Sequence, residues 1–404
     1  MKKAQTCRNK KRGYFYIFCF LFISLCIAFS CAFCLEATAE NAQSLLGETG
    51  LEDTIREQIG ELDLSALEEY IASIKGFSRE GLADRLMGYI KGGNFNYESF
   101  GKEILIVLFS HVTQLFPAFA CIMSIALLVG LLSILKSGTL GGTVSKLMGV
   151  LSYVAVLIPL IAILTTCLSG TLDAINSINK QMYVLFPLIL TLLTASGGGA
   201  TAAVCKSSVS FLSTAICAIL TDVVFPITII IMAFSMAANF TSDLKLNKFS
   251  ALFKSLNKWI IGISISVFGL FFTLQGITAA SYDGVVRRAA KYVIGNGVPI
   301  VGGFLSGGFD LAVAGSILIK NSLGSMGIFL MVSVVFEPLV LLISVTLLLR
   351  LTAAVTQPLG DGQISNILGE TADNLRYATA CLLLISFLYF LVIMVMVYCT
   401  EALF

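Results

Sequence analysis

Two carboxylates stand where a carboxylate is expensive. Asp222 lies in the apolar run Ser207–Phe240, four residues ahead of Pro226, and Glu337 directly precedes Pro338 inside Leu323–Leu349. A charge at the centre of a bilayer costs roughly 2.5–3.5 kcal/mol on insertion scales, so such groups face a bundle interior or a wet cavity. Pro226 also lacks the N–H that the Asp222 carbonyl would have used in a helix. A carboxylate beside a broken helix suits a pathway-lining or ion-coupling residue. Glu337 is the first candidate for that role and Asp222 the second. A protonated or paired structural glutamate beside a kink fits the same letters. Asp310 and Lys320 flank LAVAGSILI, a spacing that suits short-range pairing or membrane boundaries.

A third feature is basic. In VVRRAAKYVI (285–294), Arg287, Arg288 and Lys291 share one helical face, with Val286, Ala290, Val293 and Ile294 on another. The pattern predicts a short amphipathic helix in the interface plane beside lipid headgroups, ended by Gly295, Gly297 and Pro299. A basic lining at a pore mouth is the alternative. Glycines follow: Gly303-x-x-x-Gly307, then Gly324 and Gly327. Small residues at this spacing let helix backbones approach closely, so Gly303 and Gly307 are candidates for helix packing.

Catalytic patterns do not assemble. Gly197-Gly198-Gly199 with Lys206-Ser207 has the outline of a phosphate-binding loop, but Cys205 stands where that loop needs glycine. Tyr282-Asp283 and Gly360-Asp361 have the outline of an intramembrane aspartyl protease. Pro358 occupies the first glycine position there, and neither aspartate is mid-span. The one histidine, His111, has no GxSxG partner and cannot build a His-based metal site. No enzyme activity, cofactor or metal is expected.

Composition sets the class. Of 404 residues, 57% are hydrophobic and 12% charged, and mean hydropathy is +0.92. Soluble domains carry about 25% charged residues. Apolar runs long enough to cross a bilayer recur: Ile104–Leu135 (chiefly its second half), Leu147–Ser169, Met182–Ala195, Ser207–Phe240, Trp259–Ala280, Leu323–Leu349 and Tyr377–Tyr398. The expected fold is an all-α polytopic membrane protein with about six to eight transmembrane helices and broken or re-entrant glycine-rich segments. A net charge of +2 gives no sign of nucleic-acid binding.

Three regions follow from this reading. Residues 1–39 form a signal peptide or an uncleaved anchor: basic residues, the apolar run Tyr14–Cys34, and an A-x-A site at Ala37 and Ala39. Residues 40–103 hold 13 of the 24 acidic residues against 6 basic ones. There Leu62, Leu64, Leu67, Tyr70, Ile71 and Ile74 recur at helical spacing. This predicts a small acidic helical region outside the cytoplasm, either a solvated spacer or a docking surface. It has no cysteine, so no disulfides hold it. Residues 104–404 form the multi-span domain. The loop 241–258, with four lysines and one aspartate, should be cytoplasmic, whereas simple alternation puts it outside. A re-entrant 195–208 segment, ASGGGATAAVCKSS, would remove one crossing and reconcile the two.

The block QGITAASYDGVVRRAAKYVIGNGVPIVGG resembles the stage III sporulation protein AE family of endospore-forming bacteria. FPLILTLLTASGG (186–198), ILIKNSLG (317–324) and TQPLGDG (356–362) resemble it in the same order. The likeness covers about residues 100–400. It implies an integral, multi-pass protein of the mother-cell membrane around the forespore. That protein would be a subunit of a channel complex joining the two cells, needed for late forespore gene expression and spore development. The partners implied are the other stage III sporulation A proteins, one resembling a secretion ATPase, and the forespore's stage II sporulation protein Q; the chain's own surroundings are the lipid bilayer. The runner-up is an autonomous secondary transporter for a small solute, whose broken helices would bind at mid-membrane. Internal repeats would favour it, and none is evident.

Overall fold

The computed structural model describes residues 51–62, 64–73, 142–196, 214–240, 248–270, 302–359 and 362–398, with scattered residues in 113–128, 199–206 and at 246. Every described element is a helix. The helices are α1 (Leu51–Glu61), α2 (Ser65–Ser73), α3 (Gly142–Ala195), α4 (Thr214–Asn239), α5 (Lys248–Leu270), α6 (Gly302–Thr356) and α7 (Gly362–Tyr398). Five of them, α3 to α7, are long and apolar enough to cross a membrane.

Helix α3 corrects the expected span list. Leu147–Ser169 and Met182–Ala195 are not two spans but parts of one 54-residue helix. At 1.5 Å per residue it is about 80 Å long. The polar stretch between them, GTLDAINSINKQ (170–181), stays helical because its inward stripe never lapses. Thr171, Ala174, Ile175, Ile178, Gln181, Met182 and Leu185 are all buried, at helical spacing. Asp173, Asn176 and Lys180 occupy the outward face. Polarity here marks a face rather than a loop.

Helix α6 is similarly extended. Its 55 residues take in Leu323–Leu349 and run back to Gly302, with Pro338 inside. It turns through a 3-10 segment, Gln357–Leu359, into α7, which pairs antiparallel along it. The span expected at Tyr377–Tyr398 is the second part of this 37-residue helix. Helices α3 and α7 both run opposite to α6, and the three form the central bundle. Helix α4 packs on α7, and α5 meets α4 through Phe249 and Phe253 against Phe234 and through Asn257 Nδ2, which donates to Thr228 Oγ1 at 2.9 Å.

Helices α1 and α2 belong to the acidic region, and they are docked on the bundle. Ile55, Ile59, Leu64, Leu67 and Tyr70 are buried, and the first four lie in one cluster with residues of α3 and α6. Their outward face carries Arg56, Glu57, Glu68 and Glu69.

The re-entrant segment expected over 195–208 lies mostly outside the described residues, and the crossing it would remove is absent because α3 is continuous. Helix α3 ends at Ala195, and Ser196 closes it by donating its N–H to the Leu192 carbonyl at 2.8 Å and its hydroxyl to Leu193 at 2.9 Å. Gly199, Ala202, Ala203 and Lys206 then lie opposite Asn179–Thr194, enclosing a groove of about 540 Å³. Tyr183 and Thr214 join across it, 2.8 Å between their hydroxyls.

Candidate functional site

The most connected polar site lies where α2, α3, α6 and α7 meet. The Gln181 Nε2 donates to the Gly327 carbonyl at 2.8 Å and to Tyr389 Oη at 2.7 Å. Tyr389 Oη donates in turn to the Gly327 carbonyl at 3.2 Å. From α2, Tyr70 Oη reaches the Ser177 carbonyl at 3.2 Å and Gln181 Oε1 at 3.4 Å. Gln181 and Tyr389 are fully buried. A buried amide costs free energy unless it is bonded, and here both ends of the Gln181 amide are satisfied. Burial pushes the Tyr70 phenol, outside the membrane-crossing helices, up to about 12.

Glycine makes the site possible. A Cβ on Gly327 would stand 2.9 Å from both Leu185 Cδ1 and Tyr389 Oη, and one on Gly324 would stand 2.6 Å from Val397 Cγ2. These two glycines bring α6 against α3 and α7. Gly303 and Gly307 lie in the first turns of α6, and what surrounds them falls outside the described residues. One turn from Gly324, the buried Lys320 Nζ donates to the Val397 carbonyl at 2.8 Å, capping the end of α7.

A second polar group sits at the opposite end of the bundle. Glu370 on α7 accepts from Ser235 Oγ and, at 3.3 Å, from Asn239 Nδ2 on α4. Tyr153 Oη on α3 donates to the Met236 carbonyl at 2.5 Å. Arg350 on α6 pairs with Asp373 at 3.2 Å. Four helices are tied here by side chains whose letters look like an ordinary helix surface.

The carboxylates singled out in sequence are not joined. Asp222 is exposed, within a π-turn, Ile219–Val224, where the Phe225 N–H donates to the Leu220 carbonyl five residues back. The wider turn absorbs the donor missing at Pro226, and π-turns of this kind recur at functional sites. Glu337 is exposed on α6. Their helices share no extended packing, so the two do not form one site. Arg287, Arg288 and Lys291 lie outside the described residues, as do Asp283, Asp361 and His111.

Residues 83–400 match the family described as stage III sporulation protein AE. The chain belongs to the stage III sporulation protein AE family. The curated stage III sporulation protein AE of Bacillus subtilis (strain 168) is similar, 25% identical over 363 residues that cover 90% of each chain. No solved structure matches. Membership assigns the chain a sporulation-related role, and its apolar helices make it a multi-pass membrane protein. Gln181, Gly327 and Tyr389 fall inside the residues that match stage III sporulation protein AE, whereas α1 and α2 precede them.

Proposed function

We propose that this chain is a non-catalytic membrane subunit of a channel or secretion-like complex between mother cell and forespore, required for late forespore gene expression. Family membership supports the setting. The single observation that carries the subunit reading is the unbroken α3, because it makes one architecture of the bundle, the basic loop and the acidic hairpin.

With Leu147–Ser169 and Met182–Ala195 in one helix, one crossing disappears, and loop 241–258 falls in the cytoplasm as its four lysines require. Tyr153, Met236, Glu370 and the 357–361 turn then cluster at the cytoplasmic end. On this reading α1 and α2, docked against Ser177, Gln181 and Ala312, lie at the outer end, in the space between the two membranes. The same count puts Arg287, Arg288 and Lys291 outside, against the positive-inside trend, which makes them the sharpest place to test it.

The partners of such a subunit are the other stage III sporulation A membrane proteins, including a secretion-type ATPase on the cytoplasmic side, and a stage II sporulation Q-type protein from the forespore. The lysine-rich end faces the first and the acidic hairpin the second. Tagged protein isolated from sporulating cells in mild detergent should carry these partners with it. Recovery of the chain alone, from cells in which the other proteins are present and membrane-inserted, would overturn the reading in favour of an autonomous transporter.

A further inference from the structure

The polar site between α3, α6 and α7 has a cover. Leu67 and Ile55 are fully buried, and Tyr70 closes over Gln181. Helix α1 is seated on α6 by Gln58, whose Nε2 donates to the Ala312 carbonyl at 3.0 Å. Gln58 Oε1 stands 2.7 Å from where a Cβ on Gly315 would be, so this glycine gives α1 its seat. We propose that the hairpin α1–α2 is a plug, which keeps water out of the polar seam formed by Gln181, Tyr389 and the Gly327 carbonyl and which hydrates that seam when it leaves.

The hydrogen-bond inventory gives the reason. Both bonds donated by Gln181 stay within the bundle, to Gly327 and Tyr389, and do not involve the hairpin. Its acceptor, Oε1, is met by the hairpin's Tyr70 at 3.4 Å, a long bond. When the hairpin leaves, that oxygen is left at the mouth of the seam, and a water molecule is its natural replacement partner. The bundle keeps its glycine contacts at Gly324 and Gly327, which do not depend on the hairpin. The hairpin is therefore separable from the bundle in a way that α6 and α7 are not. The outward face of the plug carries Glu57, Glu68 and Glu69 against Arg56.

What the plug is for rests on the channel-subunit reading; whether it keeps the seam dry does not. Hydroxyl-radical footprinting of the full-length protein in lipid nanodiscs measures the second directly. Oxidation of Tyr389 in the parent should be slow and should rise at least fivefold in Leu67→Asp and Tyr70→Ala, with Met232 on α4 unchanged. A hairpin that has come loose while Tyr389 stays as protected as in the parent would overturn the plug. If Leu67→Asp also exposes Met232, the bundle has loosened as a whole, and Gly315→Leu, which fills the seat of α1 against Gln58 and Ile55, decides. Unseating the hairpin there should raise Tyr389 oxidation at least twofold with Met232 unchanged, and a parental Tyr389 rate with the hairpin released would overturn the proposal. Loss of the spore phenotype or of partners would bear on the channel reading and leave these rates untouched.

Discussion

At the scale of single residues, the site rests on one amide and one missing methyl. Gln181→Leu leaves the Gly327 carbonyl and Tyr389 Oη to each other and takes from Tyr70 its side-chain acceptor, leaving it the Ser177 carbonyl, and should lower stability by about 1–3 kcal/mol. Gly327→Ala forces a methyl against Leu185 and Tyr389, and overpacking of this kind costs about 1–3 kcal/mol. Thermal unfolding of the purified protein reads both; an unchanged midpoint in either variant would contradict the packing described. Tyr70 adds a pH dependence. Its folded pKa of about 12 lies above the ordinary phenol value near 10, so its contribution to docking is complete below pH 10 and is lost as pH rises toward 12. Footprinting of α2 should be flat from pH 7 to 9 and rise above pH 10. Glu337 and Asp222 were conspicuous in sequence because they are charged among apolar letters. Gln181 was not, since it ends a polar stretch that reads as a loop. Its signal was the helical stripe from Thr171 to Leu185, visible only when the polar letters are assigned to one face.

At the scale of elements, the apolar runs were legible and their joins were not. Hydropathy finds where a helix is greasy, but helix continuity through 170–181 depends on which side chains point inward. That is a property of phase, and window averages erase it. The consequence can be tested. Asn176 is exposed on α3, so Asn176→Ala should be silent, whereas Asn176→Pro breaks the helix at a cost of about 3 kcal/mol or more. Membrane abundance of the proline variant should collapse; normal abundance would mean that 170–181 is a loop after all. The π-turn at Asp222 was partly legible, since Pro226 announced a missing donor, though not how the helix would absorb it. The helices of the acidic region were legible from Leu64, Leu67 and Tyr70, but their docking on α3 and α6 was not, because nothing local encodes a partner over 100 residues away.

At the scale of the molecule, a bundle of two very long helices and a third is tied at both ends by polar side chains and capped at one. Function placed on such a scaffold is expected to reside in assembly. The pathway candidates provide a separate check: Glu337→Gln and Asp222→Asn should each impair spore formation at normal membrane abundance if these carboxylates line a route, and parental sporulation in both would remove them from it. On the reading proposed above, this family member serves the channel between two cells after engulfment. Its most direct test is a clean deletion in the source organism, scored for heat-resistant spores and for the stage of arrest. Engulfment should be completed, then followed by a stalled or collapsing forespore and a steep loss of heat-resistant spores, restored by the intact chain. Spores formed at parental numbers would contradict it.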